Sequence, residues 1–231
     1  MKEFAKKWID KFLTNLEETA GSDVLQEVLD FAGDPGDIKD AEDTVKWVNN
    51  ITDIVSRILE DDELYHVFTS CSCHYPWKKL EEAKKAYIES GSISGAMEVL
   101  REQFVHSLRE GMMMEEDLIE DILERGWGVA GKLVGDSIIV TKIPKTRNLR
   151  EYMKDAGGAG SRKLYCHCPL ILKAPELGVS ISTVYCYCGG GFYRHIWETI
   201  LDRKVKVETV ETVCSGDQVC TFRILLGEDG D

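Results

Sequence analysis

Eight cysteines carry most of the chemistry that residue type and spacing allow in this chain. Six of them form three Cys-x-Cys pairs: Cys71 with Cys73, followed by His74; Cys166 with Cys168, around His167; and Cys186 with Cys188. Cys214 and Cys220 complete the set. Thiolates bind soft metals, form disulfides and act as nucleophiles. On a strand, residues two apart share a face, so Cys166 and Cys168 would point the same way, as would Cys186 and Cys188. Strands over 164–170 and 179–188, joined by a turn centred on Leu177, would set Cys166 opposite Cys188 and Cys168 opposite Cys186. Directly opposed Cβ atoms lie about 4.5–5.5 Å apart, so four thiols would share one face of one hairpin. A slip of one residue in register removes that arrangement, and a buried cysteine is also an ordinary small apolar residue. His74 and His167 are further candidate ligands. His66, His106 and His195 make no His-x-x-x-His pair, so no zinc-protease site is expected.

The elements that must position these residues change type halfway along the chain. Phe4, Trp8, Phe12 and Leu16 recur every fourth residue; Val48, Ile51, Val55 and Ile58 recur at three and four, as do Met97, Leu100, Phe104 and Leu108. Each set lines one face of a helix. Leu118, Ile119, Ile122 and Leu123 add another stripe. Ser22 and Ser92 stand where helix N-caps belong, and Pro76 suits a first helical turn. After Gly126 the pattern becomes strand-like. Gly135-Asp136 between two apolar runs reads as a hairpin over 128–143. A helix is expected over 192–201, reached through Gly189-Gly190-Gly191, and strands over 205–213 and 219–225. Pro169 would confine the 164–170 strand to an edge. The reading is therefore an α+β protein: a helical region, 1–126, packed on a mostly antiparallel sheet with one main helix, 127–231.

Composition narrows the function classes. Of the 231 residues, 43% are hydrophobic and 30% charged, which suits a globular chain with a buried core. Eight cysteines are too sparse for a disulfide scaffold. The net charge of −13 is uneven: residues 1–125 hold 14 basic and 29 acidic side chains, against 14 and 12 in 126–231. With no basic stripe, nucleic-acid binding is not expected. The start of the chain, Met1 to Lys7, lacks an apolar core, so no signal peptide is expected. No apolar run approaches a membrane span, so no membrane partner is expected and the cytoplasm is the default. There, cysteines are reduced, metal-bound or reactive rather than paired as disulfides. A homodimer is the base-rate expectation.

The most specific segment runs from Cys186 to Phe222. It holds Cys186-Tyr187-Cys188-Gly189-Gly190-Gly191-Phe192-Tyr193-Arg194-His195-Ile196-Trp197, then Glu211 and Cys214, then Gly216-Asp217-Gln218-Val219-Cys220-Thr221-Phe222. This resembles the 4-vinyl reductase family of small-molecule-binding domains over about 127–231. The resemblance implies a fold related to the α/β ligand-binding domains of vesicle-tethering complex subunits. It also implies an apolar pocket between helix and sheet, lined by Phe192, Tyr193, Ile196 and Trp197 and holding a small, apolar or aromatic ligand. In related sensor domains a zinc sits beside that pocket; the matching ligands here are Cys188, Glu211, Cys214 and Cys220. Glu211 and Cys214 are three apart, so both can face one ion only if the strand breaks at Thr212-Val213. Cys166, Cys168 and Cys186 are extra to the family pattern. They suggest an alternative cluster, Cys166, Cys168, Cys186 and Cys188, to which Cys71 and Cys73 contribute. Thiolate spacing suits an iron–sulfur centre as well as zinc.

Two other classes remain open on sequence. Cys188 precedes three glycines and a helix start, where backbone N–H groups favour a thiolate. A thiol- or metal-dependent hydrolase similar to the amino-thiazoline carboxylate hydrolases is the enzyme alternative. The segment 157–163 lacks the spacing of a phosphate-binding loop and reads as a mobile loop. The acidic helices also allow an interaction protein with no small-molecule site.

Overall fold

The structure is a computed structural model that describes residues 2–145, 148–156, 158 and 160–227. Gly157 and Ala159 of the glycine-rich segment, and Met1 of the expected leaderless start, lie outside the described residues. The chain is α+β: α1 (Lys2–Ala20), α2 (Ser22–Ala32), α3 (Ala41–Ile58), α4 (Asp61–Ser70), α5 (Trp77–Ser90), α6 (Ile93–His106), α7 (Glu116–Glu124), β1 (Lys132–Val134), β2 (Ser137–Thr141), α8 (Leu149–Lys154), α9 (Ser161–Tyr165), α10 (Pro169–Lys173), α11 (Tyr187–Leu201), β3 (Lys206–Glu211) and β4 (Thr221–Leu225). Among the described residues no helix is long and apolar enough to cross a membrane.

Element type changes near Gly126, but compactness divides the chain differently. One unit comprises residues 1–73 and 166–191, the other 74–165 and 192–231. In the first unit the four-residue repeat of α1 buries Trp8, Phe12 and Leu16 and leaves Phe4 exposed. Val48, Ile51 and Val55 of α3 and Val67 and Phe68 of α4 are fully buried. The rings of Phe12 and Phe68 lie 5.6 Å apart, and the Trp47 indole meets Phe12 edge-on at 6.3 Å. Helix α3 starts where the Asp40 carboxylate accepts the N–H groups of Glu42 and Asp43. Ser22 is the first residue of α2 and Gly21 occupies the cap, whereas Ser92 caps α6 as its type predicts.

The second unit is built on a four-stranded antiparallel sheet of order β1-β2-β4-β3. Val134 pairs with Ser137 across the Gly135-Asp136 turn, where Gly135 takes φ 62°. Ile138 faces Ile224 and Val140 faces Phe222 in the β2–β4 ladder. With period-two alternation these side chains and Val207 share one buried face. On that face lie Tyr193, Ile196, Trp197 and Ile200 of α11, together with Leu80 and Ala83 of α5 and Ala96 and Leu100 of α6.

The expected thiol hairpin does not form. Residues 164–170 end α9 and begin α10, and 183–186 form a 3-10 turn leading into α11. Pro169 explains part of the difference: it occupies the first turn of α10, where its fixed φ fits and no N–H is needed. Periodicity does not separate short strands from short helices in apolar runs of this length, and Tyr165 and Tyr185 are buried from the helical conformations. Helix α11 also begins at Tyr187, so the three glycines lie inside it rather than before it.

Candidate functional site

Six of the eight cysteines, Cys71, Cys73, Cys166, Cys168, Cys186 and Cys188, belong to the first unit. Among them lies Tyr185, whose ring is 4.8 Å from the Trp8 indole and which is 3% exposed. The Cys168 thiol donates to the Tyr185 hydroxyl at 3.3 Å. Burial raises the Tyr185 phenol well above the usual range, and the neighbouring thiols of Cys168, Cys188 and Cys186 push the same way. Three thiols therefore lie within electrostatic reach of one phenol. Cys166 reaches back to the Cys168 carbonyl, 3.8 Å away.

A fourth thiol reaches Cys188 from the end of α4. Cys71 is buried, and its thiol donates to the Val67 carbonyl at 3.2 Å. Burial raises this thiol strongly and Cys188 adds to the shift, while Asn15 and Lys11 oppose it. Gly191 explains how α11 comes so near. A Cβ at Gly191 would overlap the carbonyl oxygen and backbone of Thr69, two residues before Cys71. Cys188 and Gly191 are three apart on α11 and share its face. Cys73 is exposed.

Every one of these shifts favours a neutral acid, and the sign for stability follows. Cys71 and Tyr185 in the first unit, and Tyr165 and Tyr193 in the second, have pKa values raised chiefly by burial. Tyr75 is pushed up to about 12 by burial, with Glu82 adding. At alkaline pH the unfolded chain releases these protons first, so the folded state binds more protons and stability falls as pH rises. The stabilisation is complete below the ordinary thiol value of about 8.5. It is lost above that, and more steeply beyond the ordinary phenol value of about 10. Each group adds up to about 1.4 kcal/mol per pH unit. Melting temperatures should hold level from pH 7 to 8.5 and then decline; a constant Tm up to pH 11 would contradict the burial of these groups.

The remaining two cysteines lie in the second unit. The break required at Thr212-Val213 is present: β3 ends at Glu211 after an irregularity at Val210, and a 3-10 turn over Val213–Ser215 follows. Glu211 is exposed. Burial raises the Cys220 thiol; the Val213 N–H and the Lys142 ammonium oppose this, and Cys214 and Asp217 add to it. Tyr165 fastens the neighbouring backbone. Its hydroxyl accepts the Cys220 N–H at 2.8 Å and donates to the Lys142 carbonyl at 2.6 Å.

The sequence-derived sites are thus distributed as follows. Cys188 belongs to the first unit, and Glu211, Cys214 and Cys220 to the second. Of the alternative cluster, Cys168 contacts the Tyr185 hydroxyl, Cys186 and Cys188 follow Tyr185 in the chain and influence it electrostatically, and Cys166 contacts the Cys168 carbonyl. Among the described residues no three His, Cys, Asp or Glu side chains are gathered tightly enough to hold a metal ion. Tyr193, Ile196 and Trp197 are core residues, while Phe192 is partly buried against that core. The Lys142 ammonium lies 5.9 Å from the Phe192 ring centre. The Trp197 indole N–H is buried without a hydrogen-bond partner. The sequence reading did not pair His74 with His195, whose rings stack at 4.2 Å in the second unit. Two histidines more than a hundred residues apart leave no local signal of such contact.

A family of unknown function, DUF6144, matches residues 140–229. The matched stretch contains six of the eight cysteines, leaving out Cys71 and Cys73. No curated protein and no solved structure matches the chain. None of these comparisons points to a 4-vinyl reductase domain.

Proposed function

We propose that the protein binds a soft metal ion, zinc first, through the thiols of its first unit: Cys168, Cys186, Cys188 and Cys71. The observation that carries this reading is the Cys168 thiol held 3.3 Å from the Tyr185 hydroxyl, beside the Cys186–Cys188 stretch that follows Tyr185 in the chain. Zinc takes four thiolates in tetrahedral sites. A thiol ionises when a metal replaces its proton, so binding is coupled to proton release. Convergence on one ion requires these side chains to change rotamer from their present hydrogen bonds to Val67 and Tyr185.

Thiol hydrolysis is the second reading. A hydrolase needs a thiolate with a general base in hydrogen-bond reach. The Cys71 thiol and the Tyr185 phenol, both raised by burial, are not suited to that role. The small apolar ligand implied by the 4-vinyl reductase resemblance belongs to the same proposal. It has narrower support: the unpartnered Trp197 indole N–H in a core otherwise filled by side chains.

Metal analysis of untagged protein grown with zinc tests the reading. One equivalent of zinc per chain is expected, with no visible absorption of the kind an iron–sulfur centre gives. Cys188→Ser and Cys168→Ser should each cut zinc content at least tenfold, and Cys214→Ser should leave it unchanged. Eight titratable thiols in the native protein with no bound metal would overturn it, as would full zinc content in Cys188→Ser.

A further inference from the structure

We infer that the outer face of α5 is a dimer contact, through which two copies of the chain pair antiparallel about a two-fold axis. The contact uses none of the thiols of the first unit. Helix α5 belongs to the second unit and buries one face in its core, where Leu80 and Ala83 are fully buried. It also carries two large apolar side chains on its outside: Trp77 is 60% exposed and Ile88 67%. The packing of α5 on its own unit gives no use for that pair.

Spacing sets the exposed pair on one line with two charges. Positions 77, 81, 84 and 88 are four, three and four residues apart, the spacing of a coiled-coil seam. Trp77, Glu81, Lys84 and Ile88 line one open groove, which Thr199 of α11 also lines. The Trp77 indole N–H donates to the Glu81 carboxylate at 2.7 Å, which ties the ring to the seam. Lys84 Nζ lies 3.3 Å from the carboxylate of Asp202, the residue after α11.

Reversed, this seam complements itself. An antiparallel pair centred between Glu82 and Ala83 sets Trp77 against the partner's Ile88 and Glu81 against the partner's Lys84. The two-fold axis repeats both contacts. The two ends are then apolar, and the two central layers join opposite charges. A parallel pair would set glutamate against glutamate and lysine against lysine, so charge complementarity selects the antiparallel arrangement. Helix α5 has 14 residues and is about 21 Å long. A strip of that length and about 10 Å wide is well below the roughly 800 Å² per partner of a standard interface, so the dimer dissociates on dilution. The net charge of −13 on each copy opposes approach. Physiological salt screens charges more than about 8 Å apart, which leaves the seam contacts to decide.

Sedimentation velocity of the full chain at physiological salt, from about 1 to 200 μM, brackets a micromolar dissociation constant. The expected result is a shift from monomer to dimer as concentration rises. Glu81→Lys and Lys84→Glu each set like charges across the seam twice and should each weaken the dimer at least tenfold. The double variant restores opposite charges in reversed order and should bind at least tenfold more tightly than either single variant. Trp77→Ser leaves the charges in place and should weaken the dimer as well. Lys84→Glu also loses the Asp202 contact, so urea unfolding is followed alongside; if that variant fails to fold, Glu81→Lys and Trp77→Ser decide. A chain that stays monomeric at the highest concentration overturns the proposal and leaves the face to a different partner. A dimer that Glu81→Lys leaves intact overturns it too, as does a double variant no tighter than the singles.

Discussion

Trp197→Ala lowers the unfolding free energy by about 3–5 kcal/mol, the range for removing a fully buried aromatic side chain. Trp197 is among the largest side chains with almost no exposed surface, and it sits among Ile196, Ile200, Phe222 and Ile224 against the buried face of the sheet. Its removal sacrifices transfer free energy and leaves a cavity whose walls are set by strand register. It breaks no hydrogen bond, because the indole N–H has no partner. Trp197→Phe is therefore the informative companion. It loses volume but also removes an unsatisfied buried donor, whose desolvation costs about 1–3 kcal/mol. The Phe variant should be destabilised by less than half as much as the Ala variant in urea unfolding. Equal losses in the two variants would mean that the indole N–H is hydrogen-bonded in solution, by water or by a ligand.

Gly191→Ala should destabilise the fold by about 1–3 kcal/mol, against its helix propensity. Alanine in a helix interior is favoured over glycine by about 1 kcal/mol. At an open position the substitution would therefore stabilise α11. At Gly191 the new methyl meets the Thr69 carbonyl and main chain, which cannot swing aside as a flexible side chain would. The displacement acts on the contact between Cys188 and the end of α4, so Cys71 should also become reactive towards alkylating reagents in the variant. Urea unfolding with thiol counting reads both effects. A stabilised Gly191→Ala protein with Cys71 still unreactive would show that α11 and α4 are further apart than described.

How much of this was legible in the sequence depends on the range of each contact. The Trp8–Phe12–Leu16 and Val48–Ile51–Val55 stripes have a helical period, and both are buried as that period requires. The Gly135-Asp136 turn sets the β1–β2 register, and β3 and β4 lie within the expected spans. The strand break after Glu211 was also readable, from the turn residues Ser215, Gly216 and Asp217. The 164–188 segment was not. Its alternating Tyr185-Cys186-Tyr187-Cys188 reads as a strand, yet it begins a helix. Buried surface and the fit of Gly191 against Thr69 outweigh local strand preference there.

The candidate site shows the same division. Sequence alone determined that the chain is α+β, that its acidic charge belongs to the helical region, and that its chemistry is that of thiols in close pairs. These properties follow from composition and short-range periodicity. Tertiary structure decided which thiols meet. Cys71 comes within electrostatic reach of Cys188 although more than a hundred residues separate them in sequence, and the Cys168 thiol reaches the Tyr185 hydroxyl from before α10, whereas Cys186 and Cys188 are chain neighbours of Tyr185. The physical reason is that such contacts are set by which buried faces pack together, and no spacing along a chain records the partner of a face.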